Sequence, residues 1–165
     1  MHYSSHYDSP LGQIFLAEDG AGLIGLWFAG QKYFAQGLSE NPEEKETPLL
    51  AETKRWLTIY FSGRNPEYSI PLHFIGTSFQ VKVWNALRSI PYGKTATYGE
   101  IAEQISGSGQ TASSLARAVG NAVGHNPISI LVPCHRVIGK NGRLVGYAGG
   151  LEQKRKLLDL EKSQL

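Results

Sequence analysis

Cysteine is almost missing from this chain of 165 residues; Cys134 is the only one. A lone thiol excludes an internal disulfide and a zinc site built from several thiolates. Long apolar runs are missing too. No stretch approaches the roughly 18 residues that a membrane-spanning helix needs, so none is expected. Residues Met1 to Asp8 lack a basic stretch followed by an apolar one, so no signal peptide is expected. No internal repeat and no low-complexity segment interrupts the pattern. A single cysteine without an export signal predicts a reducing, cytoplasmic setting.

The composition that remains is 41% hydrophobic and 18% charged, which reads as a globular chain long enough to bury a core. The net charge of +2 is unevenly spread. Residues 1–78 carry five Lys/Arg and nine Asp/Glu, whereas residues 79–165 carry eleven Lys/Arg and five Asp/Glu. The half that holds Cys134 is therefore the basic half. A basic half suits a polyanion such as nucleic acid, and it equally describes a solvated surface with no partner.

The N-terminal part predicts a small sheet with a helix. Leu11 to Ala17 and Gly22 to Phe28 are apolar-rich and flank the turn signal Glu18-Asp19-Gly20, a hairpin pattern. Residues 39–48, with Pro42 and Pro48, read as a loop. Leu50, Trp56, Leu57 and Tyr60 recur at helical spacing over Leu49 to Ser62, and Gly63 ends that helix. Tyr68 to Leu72 is a further candidate strand. The pattern changes near Gly76-Thr77-Ser78, dividing the chain into units 1–76 and 77–165.

In the second unit, Thr77 or Ser78 caps a helix with Phe79, Val83, Trp84 and Leu87 on its apolar side, and Pro91-Tyr92-Gly93 stops it. Helices over Tyr98 to Ile105 and Ala112 to Val123 follow, joined by the turn Ser106-Gly107-Ser108-Gly109. This pair has the form of a helix-turn-helix. On the third helix Leu115, Val119 and Ala122 share the core face, and Ser113, Arg117, Gly120 and Gly124 the opposite one. That face reads either as an ordinary solvated surface or as one pressed against nucleic acid with Arg117 as a probe. Each glycine costs about 1 kcal/mol against alanine in a helix interior, which favours a close approach.

Cys134 lies in Pro133-Cys134-His135-Arg136-Val137, after the apolar run Ile128 to Val132, read as a buried strand leading the thiol inward. A free thiol has a pKa of about 8.5, so it needs a base to react at neutral pH. His135 is adjacent in sequence, but neighbours on an extended chain point apart, and a turn or a bridging water is needed to join them. A buried inert cysteine is the alternative. In the last helix, Leu151 to Glu161, Leu151, Leu157 and Leu158 lie on one side with Glu161 between the last two. A carboxylate on an apolar face needs a partner. His135 is one candidate; Lys154 near the same face, or water at a frayed helix end, are the others.

Several of these residues form a familiar set. Pro133-Cys134-His135-Arg136-Val137, with Asn126-Pro127 before it and Gly146-Tyr147-Ala148-Gly149-Gly150-Leu151 after it, closely resembles the O6-alkylguanine-DNA alkyltransferases. Arg117-Ala118-Val119-Gly120 and Tyr98 extend the match over residues 77–161, while Ser9-Pro10-Leu11-Gly12 is less diagnostic. The resemblance implies an α+β fold, with a small antiparallel sheet and helix in a ribonuclease H-like layout followed by a helical, winged-helix-like unit with the helix-turn-helix. It implies direct repair of double-stranded DNA containing O6-alkylguanine, and of O4-alkylthymine, by single-turnover transfer of the alkyl group to Cys134. The helix-turn-helix would enter the minor groove and the base would be flipped out of the stack.

The same resemblance assigns roles by position. Cys134 is the nucleophile, His135 the base through a water, and Glu161 its orienter. Tyr98 assists flipping and donates at guanine N3. Arg117 fills the gap in the stack, with Ser113, Gly120 and Gly124 on the DNA face. Asn126 links the recognition helix to the active-site loop. Tyr147 and the Ala148 backbone meet O6, and the carbonyls of Cys134 and Val137 read the exocyclic amine. No cofactor and no metal are implied: some members bind zinc through N-terminal Cys and His, but here His2, His6 and His73 lack ligand spacing. Some members also carry Ser in place of Ala148. A monomer is expected, with cooperative assembly on DNA left open. The competing readings are a module that binds alkylated DNA without chemistry, against which Cys134 argues, and a Cys-His hydrolase, for which no oxyanion motif is evident.

Overall fold

A computed structural model of the chain describes residues 1–106 and 112–163, with side chains at 112–114 left aside. Four strands, β1 (Tyr3–Ser9), β2 (Gly12–Glu18), β3 (Leu23–Phe28) and β4 (Glu43–Glu44), form a sheet in the order β3-β2-β1-β4. The expected β2–β3 hairpin is present; Asp19 shapes its turn by accepting from the amides of Ala21 and Gly22. Two features depart from expectation. β1 joins the sheet although its sequence is polar, and β4 pairs with it in parallel, so the sheet is not wholly antiparallel.

Helix α1 (Pro48–Phe61) begins where Thr47 accepts from the Leu50 amide and Pro48 occupies the first turn. Its apolar stripe buries Leu50, Leu57 and Tyr60. Tyr68 to Leu72 forms no strand; a single bridge, Leu23 to Leu72, is all that the segment contributes to the sheet. His2, His6 and His73 do not gather: His2 accepts from the Ser39 amide, His6 packs edge-on to Phe15, and His73 meets Asp19 at 2.5 Å.

Helix α2 (Ser78–Leu87) starts with a full capping box between Thr77 and Gln80, and α3 (Tyr98–Ile105) with another between Thr97 and Glu100. Helix α4 (Ala112–Gly124) buries Leu115, Val119, Ala122 and Val123, and the Trp84 indole N–H donates to the Ala122 carbonyl at 2.8 Å, fastening α2 to α4. Most of the turn between α3 and α4 and the Ser113 side chain lie outside the described residues. Strands β5 (Ala96–Thr97) and β6 (Val137–Ile138) pair in parallel, tying the start of α3 to the segment just after Cys134. Helix α5 (Leu151–Lys162) closes the chain; Leu157 and Leu158 are buried as expected, but Leu151 is exposed. One apolar cluster, including Leu16, Leu57, Trp84, Val119, Ile128 and Leu157, runs through both halves. Among the described residues no helix is long and apolar enough to cross a membrane.

Candidate active site

Ile128 to Val132 is buried as expected except at Leu131, but it is a tight turn rather than a strand. Asn126, at the exit of α4, organises it: its side-chain amide donates to the Val132 carbonyl at 2.8 Å and its oxygen accepts from the Ile128 amide at 3.0 Å. Ile130 sits at φ 72°, a left-handed conformation that strains a β-branched residue. The edge of the N-terminal sheet buttresses the turn, because the Leu26 amide donates to Pro127 and the Leu26 carbonyl accepts from Ser129. The chain then enters a short 3-10 turn, Cys134–Arg136, which supplies the bend that an extended chain lacks.

Cys134 is 4% exposed and lies on a cavity of about 220 Å³. Gly120 and Gly124 of α4, Tyr98 of α3, and Tyr147 and Ala148 also line it. A Cβ added at Gly120 or Gly124 would meet nothing within 4 Å, so neither glycine is required by packing inside the protein. Gly149 is the opposite case: a Cβ there would fall 2.9 Å from the Tyr147 ring and 3.1 Å from Phe28. Arg117 is exposed on α4, away from the buried stripe.

Behind the thiol lies a buried polar cluster. His135 is fully buried and its Nε2 is 2.6 Å from Glu161 Oε2. Arg136 grips the same carboxylate through Nε at 2.8 Å and Nη2 at 3.1 Å, and its Nη1 donates to the Ile90 carbonyl. The Gly93 amide and the Tyr60 hydroxyl also donate to Glu161. Burial alone would raise the Glu161 pKa, but the bonds and charges of His135 and Arg136 outweigh it and bring the carboxyl down to about 2. An ionised carboxylate only accepts, so Nε2 is the protonated nitrogen of His135. Burial lowers the His135 pKa against the pull of Glu161, which keeps the ring neutral at pH 7. Nδ1 then carries the free lone pair, and it is buried without a hydrogen-bond partner.

Burial raises the Cys134 pKa, opposed by the Asn126 side chain and the Lys154 charge. The thiol is therefore mostly protonated at neutral pH and needs a base. Lys154 does not pair with Glu161. It is wholly buried and its ammonium donates to the carbonyls of Val145 at 3.2 Å and Gly146 at 3.0 Å, with burial lowering its pKa to about 8. Replacing it by methionine is expected to slow Cys134 alkylation by iodoacetamide severalfold at pH 7 and to move the midpoint of its pH dependence upward.

Residues 78–163 match the family described as 6-O-methylguanine DNA methyltransferase, DNA binding domain, and residues 1–74 its ribonuclease-like domain. The chain belongs to this methyltransferase family. It is 48% identical over 158 residues to a methylated-DNA–protein-cysteine methyltransferase of Mycobacterium leprae, covering 96% of this chain and 91% of that protein. A relative of the same name in Methanosarcina acetivorans is 47% identical over 161 residues, covering 98% and 99%. Among solved structures, the Mycobacterium tuberculosis O6-methylguanine methyltransferase superposes with a TM-score of 0.84 at 45% identity, covering 100% of this chain and 95% of that one. The M. tuberculosis protein in complex with DNA gives 0.85 at 44% identity, covering 98% and 94%.

In this family member, Cys134, Tyr98, Tyr147, Ala148, Gly120 and Gly124 share one cavity; Asn126 holds the turn that leads to Cys134, and His135, next in the chain, pairs with Glu161. Val137 follows directly, its amide donating to the Cys134 carbonyl. The Tyr98 hydroxyl donates to the Val145 carbonyl at 2.8 Å. The Tyr147 hydroxyl is buried and unpartnered, and burial holds its pKa well above the usual phenol value, leaving a protonated donor. Sequence reasoning missed the grip of Arg136 on Glu161, the loop contacts of Lys154, and Tyr33, which stacks on His125 at 3.9 Å on the cavity wall. A charged residue one helical turn before Leu157 and Leu158 was the available signal for Lys154.

Proposed function

We propose that this chain repairs alkylated DNA directly, moving the alkyl group from O6 of guanine in double-stranded DNA to Cys134. The observation that carries the proposal is a lone thiol on a cavity beneath the small-residue face of a helix-turn-helix, backed by a neutral histidine held by an ionised carboxylate. His135 Nδ1, through a bridging water, takes the thiol proton. The sulfur attacks the alkyl carbon in line; the S–C bond forms, the C–O6 bond breaks, and its electron pair stays on guanine. Tyr98 at N3, with Tyr147 and the Ala148 backbone at O6, meets the developing charge. The base regains a proton at N1, so the net proton transfer runs from thiol to guanine. The carbonyls of Cys134 and Val137 read the exocyclic amine, and Asn126 couples α4 to the loop.

The product is a thioether whose C–S bond thiol exchange does not cleave, so each chain, with its one acceptor thiol, acts once; it works as a monomer without a cofactor. O4-alkylthymine presents the same displacement chemistry and is included as a substrate. The unit 77–165 carries DNA binding and chemistry, and the unit 1–76 supports it, in the cytoplasm. On this reading α4 enters the minor groove, Arg117 occupies the stack, and Ser113, Gly120 and Gly124 lie on the DNA side. The test is to incubate the protein with duplex DNA carrying one O6-methylguanine and to look for a methyl group on Cys134 by mass spectrometry. An unmodified Cys134 in protein that binds the duplex overturns the proposal.

The glycines give an independent check. Nothing packs where a Gly120 Cβ would stand. Gly120→Ala is therefore expected to stabilise the free protein by about 0.5–1 kcal/mol, seen as a raised Tm. Duplex binding, followed by fluorescence anisotropy, is expected to weaken severalfold because the added methyl obstructs the approach of the DNA. Unchanged binding would argue that α4 does not face the duplex through Gly120.

A further inference from the structure

Tyr60 belongs to α1, in the N-terminal half and 75 residues from His135, yet it reaches the cluster behind the thiol. It is wholly buried. Its hydroxyl donates to Glu161 Oε2 at 2.6 Å and lies 3.4 Å from His135 Nε2. The same carboxylate oxygen thus receives both the Tyr60 hydroxyl and the His135 N–H. Its ring is fixed on one side by Trp56, stacked at 5.5 Å, and meets Phe61 edge-on. A hydroxyl so confined sets how much of the Glu161 charge is left for the imidazole.

We infer that Tyr60 is a positioning residue of the transfer reaction: by donating to the oxygen that Glu161 shares with His135, it fixes the ring and tempers its basicity. The inference rests on the reading of His135 as the base for Cys134. It gives the N-terminal half a part in the chemistry. The other ionisable groups around the trio are Arg136 from the 3-10 turn, Lys154 from α5, Tyr92 after α2, Tyr147 from the loop before α5, and Cys134 itself. Changing the Tyr60 hydroxyl alters none of them, so a changed pH profile reports on the shared oxygen.

The sign follows from the hydrogen bond. Without the phenol donor, more of the carboxylate charge falls on His135 Nε2–H, and the ring holds a proton more tightly. In single-turnover transfer from a duplex carrying O6-methylguanine, the acid limb of the rate–pH profile is expected to move up by about half a unit to one unit in Tyr60→Phe. The rate at pH 7 is expected to fall about three- to tenfold as the ring loosens and more of it is protonated. Incorporating 3-fluorotyrosine at position 60 keeps the ring and strengthens the donor, so the limb is expected to move down. This second variant carries the test if Tyr60→Phe does not fold, which thermal denaturation reveals. An acid limb unmoved in either folded variant overturns the inference, even if the rate falls, because a packing role alone lowers rates without moving the limb. A wild-type protein that transfers no methyl group overturns the reading of the site and this inference with it. That result is distinct from transfer with an unmoved limb.

Discussion

Replacing Cys134 by serine is expected to lower methyl transfer by about 10⁴-fold or more while leaving duplex binding intact. The substitution changes one atom in a buried site whose neighbours, the Asn126 amide and the 3-10 turn, are already arranged around it. What changes is the nucleophile. A hydroxyl gives up its proton far less readily than a thiol, and a neutral imidazole is a poor match for it. Sulfur is also the softer atom, suited to displacement at an alkyl carbon. The measurement is single-turnover transfer of a labelled methyl group, with binding followed separately by anisotropy. The wild type is expected to give one methyl group per chain and then stop, because it holds no other thiol. Transfer by the serine variant at a tenth of the wild-type rate would show that the thiol is not the acceptor.

The thiol and its partners were legible in the sequence to different depths. A carboxylate between two leucines on a helical wheel called for a partner but left His135, Lys154 and water open; the structure pairs it with His135 at 2.6 Å. Helix α2 announced itself through Thr77, since a capping box is written within four residues; the equally local box of Thr97 and Glu100 at the start of α3 was passed over. Strand β1 did not announce itself, because only Ser5 along it is buried and its structure comes from pairing with β2 and β4. Ile128 to Val132 has strand composition, but Asn126 captures the backbone donor and acceptor at both ends of the segment and folds it into a turn. Tyr60 was visible only as a core position of α1. Its hydroxyl meets Glu161 across 101 residues, and nothing local in a sequence reports such a distance. Lys154 shows the same limit, since its position on the buried face was readable and its carbonyl partners were not.

Glu161→Gln is expected to destabilise the protein by about 3–5 kcal/mol and to slow transfer at least tenfold. Each carboxylate oxygen accepts more than one bond, and the donors come from α1, the segment after α2 and the 3-10 turn. An amide of the same shape carries no charge and turns two donors of its own toward Tyr60, His135 or Arg136. The guanidinium of Arg136, nearly buried, loses its counter-charge, and most of the penalty lies there. For a chain of this size the loss corresponds to a drop in Tm of roughly 6–20 °C. The same group sets the acid response of the wild type. Its folded pKa of about 2 lies below the ordinary carboxyl value of 4.5, so the stabilisation is fully present above about pH 4.5 and is lost as pH falls toward 2. Denaturant titrations between pH 7 and pH 2 are expected to show the wild type losing stability most steeply across that window. Glu161→Gln, which has no proton to gain there, is expected to start lower and fall less. Parallel curves for the two proteins would mean that Glu161 is not the carboxylate on which acid stability depends.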